Sequence, residues 1–163
     1  MASLLPLRIG LVGAGTVGGG VYEIIMNLAA KAGRRPCVIT KICVRDVTKP
    51  RSFVVDATRT ELVTNVDSIL MDDSIDLVVE VMGGTGLAKT VVESALQRGK
   101  SVVTANKALI ADHLDDIHKL AKDSNACFAF EAAVCGGIPI IQTLYGAYTG
   151  DTIHEVMVSL RLN

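Results

Sequence analysis

One hexapeptide constrains this chain more than anything else in it: Gly13-Ala14-Gly15-Thr16-Val17-Gly18, a G-x-G-x-x-G run. A short apolar segment (residues 8–12) precedes it. A stretch with helical apolar spacing (residues 16–32: Val17, Val21, Ile24, Ile25, Leu28) follows it. In that context each glycine has a job. Gly13 permits a tight turn, Gly15 lets the backbone approach a pyrophosphate with no Cβ in the way, and Gly18 lets the helix close on the strand. The helix N-terminus then offers unpaired N–H groups and a positive dipole end to phosphates. Gly19 and Gly20 continue the run inside the helix, where glycine is unfavourable. Close packing and closer backbone approach both account for them.

The rest of the chain alternates in the same way. Strands are expected at 37–44, 77–82, 101–104 and 127–130, and helices at 67–71, 87–98, 107–122 and 137–145, the last starting near Pro139. Residues 32–36 read as a helix cap and loop, and 46–60 as a polar loop or a short edge strand around Phe53. Such alternation with short connections predicts an α/β fold of the Rossmann type, a doubly wound and mostly parallel sheet. Residues 156–163 resume an apolar alternation, as if entering a further strand.

Composition excludes other classes. With 163 residues, 50% hydrophobic and 20% charged, the chain buries a core without a disulfide or metal staple. A net charge of −1 and 4% aromatic residues provide neither a basic field nor a stacking platform for nucleic acid. No apolar run is long enough to span a bilayer, and no signal peptide precedes the first strand, so a cytoplasmic location without membrane partners is expected. Cys37, Cys43, Cys127 and Cys135 form no C-x-x-C pair and read as reduced, mostly buried thiols. His113, His118 and His154 lack metal-ligand spacing.

Three further segments place polar residues at successive strand ends, where open α/β sheets bind ligands. They are Glu80-Val81-Met82-Gly83-Gly84, Thr104-Ala105-Asn106-Lys107 and Glu131-Ala132-Ala133-Val134-Cys135-Gly136-Gly137-Ile138-Pro139. The second strand ends in Arg45-Asp46, with Lys49 and Arg51 close behind. An acidic residue at this place accepts the ribose 2′-OH of NAD, and an arginine pairs with the 2′-phosphate of NADP. Three cations in seven positions favour NADP, with NAD as a possible second cofactor. For Lys49 and Arg51 a merely solvated loop explains the charge as well.

On the G-A-G-T-V-G turn, V-R-D with K-P-R, V-V-E-V-M-G-G, T-A-N-K-A-L-I-A and F-E-A-A-V-C-G-G-I-P-I-I, the chain resembles the homoserine dehydrogenase family over about residues 9–153. The resemblance implies NAD(P)H-dependent reduction of L-aspartate 4-semialdehyde to L-homoserine, in threonine and methionine synthesis. It implies that Gly13, Ala14, Gly15, Thr16, Val17 and Gly18 line the pyrophosphate, Arg45 the adenosine side, and Met82, Gly83, Thr104 and Lys107 the nicotinamide half. Lys107 would be the catalytic ammonium, stabilising alkoxide charge and delivering a proton. Its bland reading is a surface lysine at a helix start. Glu131, with the carbonyls of Val134, Gly136 and Ile138, resembles the family's monovalent, sodium-like cation site. Without the resemblance, Glu131 reads as a carboxylate satisfied by the N–H groups of a helix start.

The family pattern departs after Met157, where a substrate and dimerisation domain would follow. The expected organisation is therefore an NAD(P)-binding domain at 1–155 and a stub of the second domain at 156–163. That second domain carries the homodimer contact in the family. The alternative is a non-catalytic dinucleotide-binding module, a sensor or a partner subunit.

Overall fold

The computed structural model describes residues 5–28 and 36–157. Six strands, all parallel, form one sheet: β1 (Leu7–Val12), β2 (Cys37–Cys43), β3 (Glu61–Val63), β4 (Leu77–Glu80), β5 (Ser101–Thr104) and β6 (Phe128–Ala129). Their spatial order is β3-β2-β1-β4-β5-β6. The chain lays strands outward from β1 on one side, then returns to β4 and builds outward on the other. This is the doubly wound order, and it leaves a crevice between the C-terminal ends of β1 and β4.

Helices α1 (Thr16–Leu28), α2 (Asp67–Leu70), α3 (Gly86–Gln97), α4 (Lys107–Asp123) and α5 (Ile140–Gly146) complete the fold, with a 3₁₀ turn at Glu131–Ala133. The central strands are apolar on both faces, as a sheet covered on both sides requires. Ile9, Leu11, Ile39, Ile42 and Val79 pack with Tyr22 of α1 and with Phe53. Val12, Val78 and Val102 pack on the other face with Ile69 of α2, Val91 and Leu96 of α3, and Leu109 and Ile117 of α4.

Polar ties fix the strand starts and connections. Lys41 donates to the Ser68 carbonyl at 2.9 Å and pairs with Asp72 at 2.8 Å. The buried Lys100 ammonium donates to the carbonyls of Asp72 and Ile75 at 2.6 and 3.0 Å, pinning the turn before β4.

The expected elements recur with shifted ends. β4 stops at Glu80 rather than residue 82, β6 keeps only two residues, and α5 starts after Pro139. β3 was not anticipated. It spans three residues and owes its form to pairing with Lys41, Ile42 and Cys43, not to any local alternation. Phe53 forms no edge strand, because its ring turns inward onto α1. The cap expected at 32–36 and the helix beyond Leu28 fall largely outside the described residues. So does most of the strand expected at 156–163, while Val156 and Met157 themselves are not in a strand.

Candidate functional site

The crevice at the β1/β4 switch point is a cleft of about 980 Å³. Its floor is the glycine turn. Gly13 has φ +106°, and a Cβ there would sit 2.9 Å from the Val81 backbone. A Cβ on Gly18 would collide with the Gly13 carbonyl oxygen. A Cβ on Gly15 would meet nothing within 4 Å and would intrude only on the cleft. The first and third glycines are therefore required by the fold itself, while the second, which lines the cleft, is not. A dinucleotide pyrophosphate fits this pattern, since it needs bare backbone and a helix N-terminus in one place.

The structure brings Gly13, Ala14, Gly15, Thr16, Arg45, Met82 and Gly83 together in the cleft wall. Gly18 lies behind the turn, and Val17 is exposed on α1 outside the wall. On the β2 side, Arg45 and Asp46 divide sharply. The Asp46 carboxylate accepts from the Thr48 amide at 2.8 Å and the Thr48 hydroxyl at 2.7 Å. These bonds hold its carboxyl below the usual carboxylate range. Among the described residues the Arg45 guanidinium has no such partner. Arg51 is also engaged, donating to the carbonyls of Asp46 at 2.7 Å and Lys49 at 2.9 Å. Burial pushes the Cys43 thiol, in the same wall, up from its ordinary value. None of the four cysteines forms a disulfide; expected mostly buried, Cys37, Cys43 and Cys135 are half-buried and Cys127 is exposed.

On the β4 side a buried polar network supports the diglycine loop. Glu80 is fully buried; its Oε1 accepts from the Met82 amide at 2.8 Å and its Oε2 from the Thr104 hydroxyl at 2.7 Å. That hydroxyl accepts from the Asn106 amide at 3.0 Å. The Asn106 side chain donates to the Gly84 carbonyl at 2.6 Å and accepts from the Leu109 amide at 3.2 Å, capping α4. Thr104 is thus wholly internal, a support of the Met82–Gly84 loop that does not reach the cleft. The sequence marked Glu80 only as a polar residue at a strand end. Its partners lie on the neighbouring strand and could not be read locally. Thr64 and Asn65, in the cleft wall just after β3, carried no sequence signal either.

Lys107 is the first residue of α4, exposed, next to the Asn106 cap and outside the cleft wall. Glu131 stands further along, in the 3₁₀ turn. Its two carboxylate oxygens accept from the amides of Ile141 at 2.9 Å and Gln142 at 2.7 Å, so it caps α5. Cys135 (φ +52°) and Gly136 (φ +59°) turn the chain between them, and Ile138 is exposed. Each Glu131 oxygen takes one of these bonds and keeps a further lone pair, and the Ile138 carbonyl accepts from the Ile140 amide at 2.8 Å. Among the described residues no three His, Cys, Asp or Glu side chains cluster as metal ligands, and no helix is long and apolar enough to cross a membrane.

A sequence profile described as "Homoserine dehydrogenase, NAD binding domain" matches residues 13–131. Homoserine dehydrogenase of Neisseria gonorrhoeae is 38% identical over 160 residues, covering 93% of this chain and 35% of the relative. That of Bacillus subtilis is 39% identical over 154 residues, with the same coverage. The crystal structure of a homoserine dehydrogenase from Thiobacillus denitrificans superposes with a TM-score of 0.81 at 37% identity, over 91% of this chain and 35% of that one. The chain spans about a third of the length of the curated relatives it matches. Fold, glycine turn and relatives agree: the chain belongs to the homoserine dehydrogenase family and corresponds to its NAD-binding domain.

Proposed function

We propose that this chain binds NADP(H) in the β1/β4 cleft and forms the cofactor-holding part of a homoserine dehydrogenase, which reduces L-aspartate 4-semialdehyde to L-homoserine. The observation that carries the choice of NADP is the division at the end of β2. Thr48 donates twice to one Asp46 oxygen, Oδ1, while Arg45 stands without a partner among the described residues, in the cleft wall. A free guanidinium suits a dianionic 2′-phosphate, while the second Asp46 oxygen, which takes no bond from Thr48, keeps an acceptor for a ribose 2′-OH. NAD remains a weaker second ligand, because the pyrophosphate turn serves both.

The bound nicotinamide would supply the hydride. The chain's own residues bind and orient. Gly13–Gly18 present backbone N–H groups to the phosphates. Glu80 and Asn106 hold the Met82–Gly84 loop against the nicotinamide end through the Met82 amide and the Gly84 carbonyl. The Lys107 ammonium, at the α4 N-terminus beside that loop, is assigned to the developing alkoxide, where it stabilises charge and returns a proton. The carbonyls of Val134, Gly136 and Ile138, beside Glu131, are the neutral donors a monovalent cation takes in place of its hydration shell. The substrate, the homodimer of the family and the organisation into residues 1–155 and 156–163 belong to the same proposal.

The experiment is a titration of the 163-residue chain with NADPH and NADH, followed by an assay with aspartate 4-semialdehyde. Saturable binding with NADPH preferred, and no turnover by these residues alone, is the expected result. Absence of dinucleotide binding would refute the cofactor assignment. Turnover by the pure chain would refute the restriction to cofactor binding.

A further inference from the structure

We infer that Gly19 and Phe53 form a seat that sets the position of the Arg45 loop, and through it the preference for a 2′-phosphorylated dinucleotide. The inference rests on the NADP(H) reading above. Gly19 lies in the first turns of α1, where glycine is the poorest helix former after proline. A Cβ there would lie 2.7 Å from Cδ1 and 3.0 Å from Cε1 of Phe53. The glycine therefore makes room for that ring. The neighbouring Gly20 faces open space and has no such contact.

Phe53 belongs to the loop of residues 44–60, which carries Arg45 and has no regular structure of its own. Its ring is only 7% exposed and packs against Tyr22 of α1, centroids 5.3 Å apart. The Tyr22 hydroxyl accepts from the Asp56 amide at 2.9 Å, giving the loop a second attachment to the same helix. Two residues before Phe53, Arg51 gathers the carbonyls of Asp46 and Lys49 and closes the loop on itself. The loop is thus seated on α1 at Phe53, and two residues earlier in the chain Arg51 ties it to the carbonyl of Asp46, the residue after Arg45. A charge on a loop contributes to affinity only what remains after the loop has been ordered. The seat does that ordering in advance. Its reach beyond the adenosine end is limited to the bond of the Gly19 amide to the Gly15 carbonyl at 2.8 Å, a main-chain bond that Gly19→Ala keeps.

The test compares Gly19→Ala, Phe53→Ala, Arg45→Ala and the double variant Gly19→Ala/Arg45→Ala for NADPH and NADH dissociation constants by calorimetry. Gly19→Ala improves helix propensity, so a loss of affinity in it is no loss of helix. It also decides the matter should Phe53→Ala fail to fold. The expected result is a roughly tenfold weaker NADPH affinity in each of the two seat variants, the scale of a misplaced charge-assisted contact. NADH should stay within about twofold. In the Arg45→Ala background, Gly19→Ala should weaken NADPH no further, because coupled residues are not additive. An equal loss for both dinucleotides, no loss, or an undiminished effect without Arg45 overturns the seat. An unchanged NADPH-to-NADH ratio in Arg45→Ala itself overturns the NADP(H) reading on which the seat depends.

Discussion

Arg45 and Asp46 are adjacent, equally exposed and opposite in charge, yet hydrogen bonding gives them different work. Thr48 donates twice to Asp46 Oδ1, and among the described residues the guanidinium beside it has no such partner. Arg45→Ala should therefore weaken NADPH roughly ten- to a hundredfold and NADH much less, the scale of a charge-assisted bond to phosphate. Equal losses by titration would argue against the assignment. Asp72 shows the same logic in the service of stability. The Lys41 ammonium at 2.8 Å and the Ser74 hydroxyl at 2.6 Å hold its carboxyl well below the usual carboxylate range. The unfolded chain binds that proton more readily than the folded one. The contribution is thus complete above the ordinary carboxylate pKa near 4 and is lost as the pH falls towards the lower folded value. Asp72→Asn should cost about 1 kcal/mol at pH 7, modest because the pair is partly solvated. Urea unfolding of variant and wild type should converge below pH 4; a gap independent of pH would contradict the pairing.

At the scale of elements, the strand–turn–helix around Gly13–Gly18 separates folding from binding. Gly15→Ala should leave the melting temperature unchanged and impair dinucleotide binding, since a Cβ there meets nothing within 4 Å and Gly15 lines the cleft. Gly18→Ala should lower both, since its Cβ meets the Gly13 carbonyl. Thermal melts with and without NADPH distinguish them, and identical behaviour of the two variants would contradict the geometry. Helix α5 depends on a carboxylate outside itself. Glu131→Ala should speed amide exchange at Ile141 and Gln142 and cost about 0.5–2 kcal/mol locally, as loss of an N-cap does. Exchange left unchanged there would contradict the cap. The turn, β5 and α4 were legible in the sequence because their signals are local: glycine spacing, an apolar run, helical periodicity. β3 was not, because it exists by pairing with β2. The alternatives left open for Gly19 were resolved only by Phe53, a residue far along the chain. Glu131 was read both as a cation ligand and as a helix-start carboxylate, and the structure shows it engaged in the second way.

For the whole molecule, the order β3-β2-β1-β4-β5-β6 is what turns six short strands into a site. Sheet order follows from the alternation of elements together with the right-handed crossover, so the fold class was readable before any coordinates. The polar interior was not. Glu80, Thr104 and Asn106 lie on separate stretches of sequence, and only the parallel register that sets Glu80 opposite Thr104 makes them one network. That network joins the diglycine loop to the start of α4, where Lys107 stands, and so links the cofactor cleft to the residue assigned to the chemistry. These 163 residues span about a third of the family's curated members, and binding is the function they are expected to show by themselves. The most direct test is calorimetric titration of the chain with NADPH and with NADH. One saturable site per chain, tighter for NADPH and losing that preference in Arg45→Ala, is the predicted result. No binding, or binding indifferent to Arg45 and equal for both dinucleotides, would contradict the account.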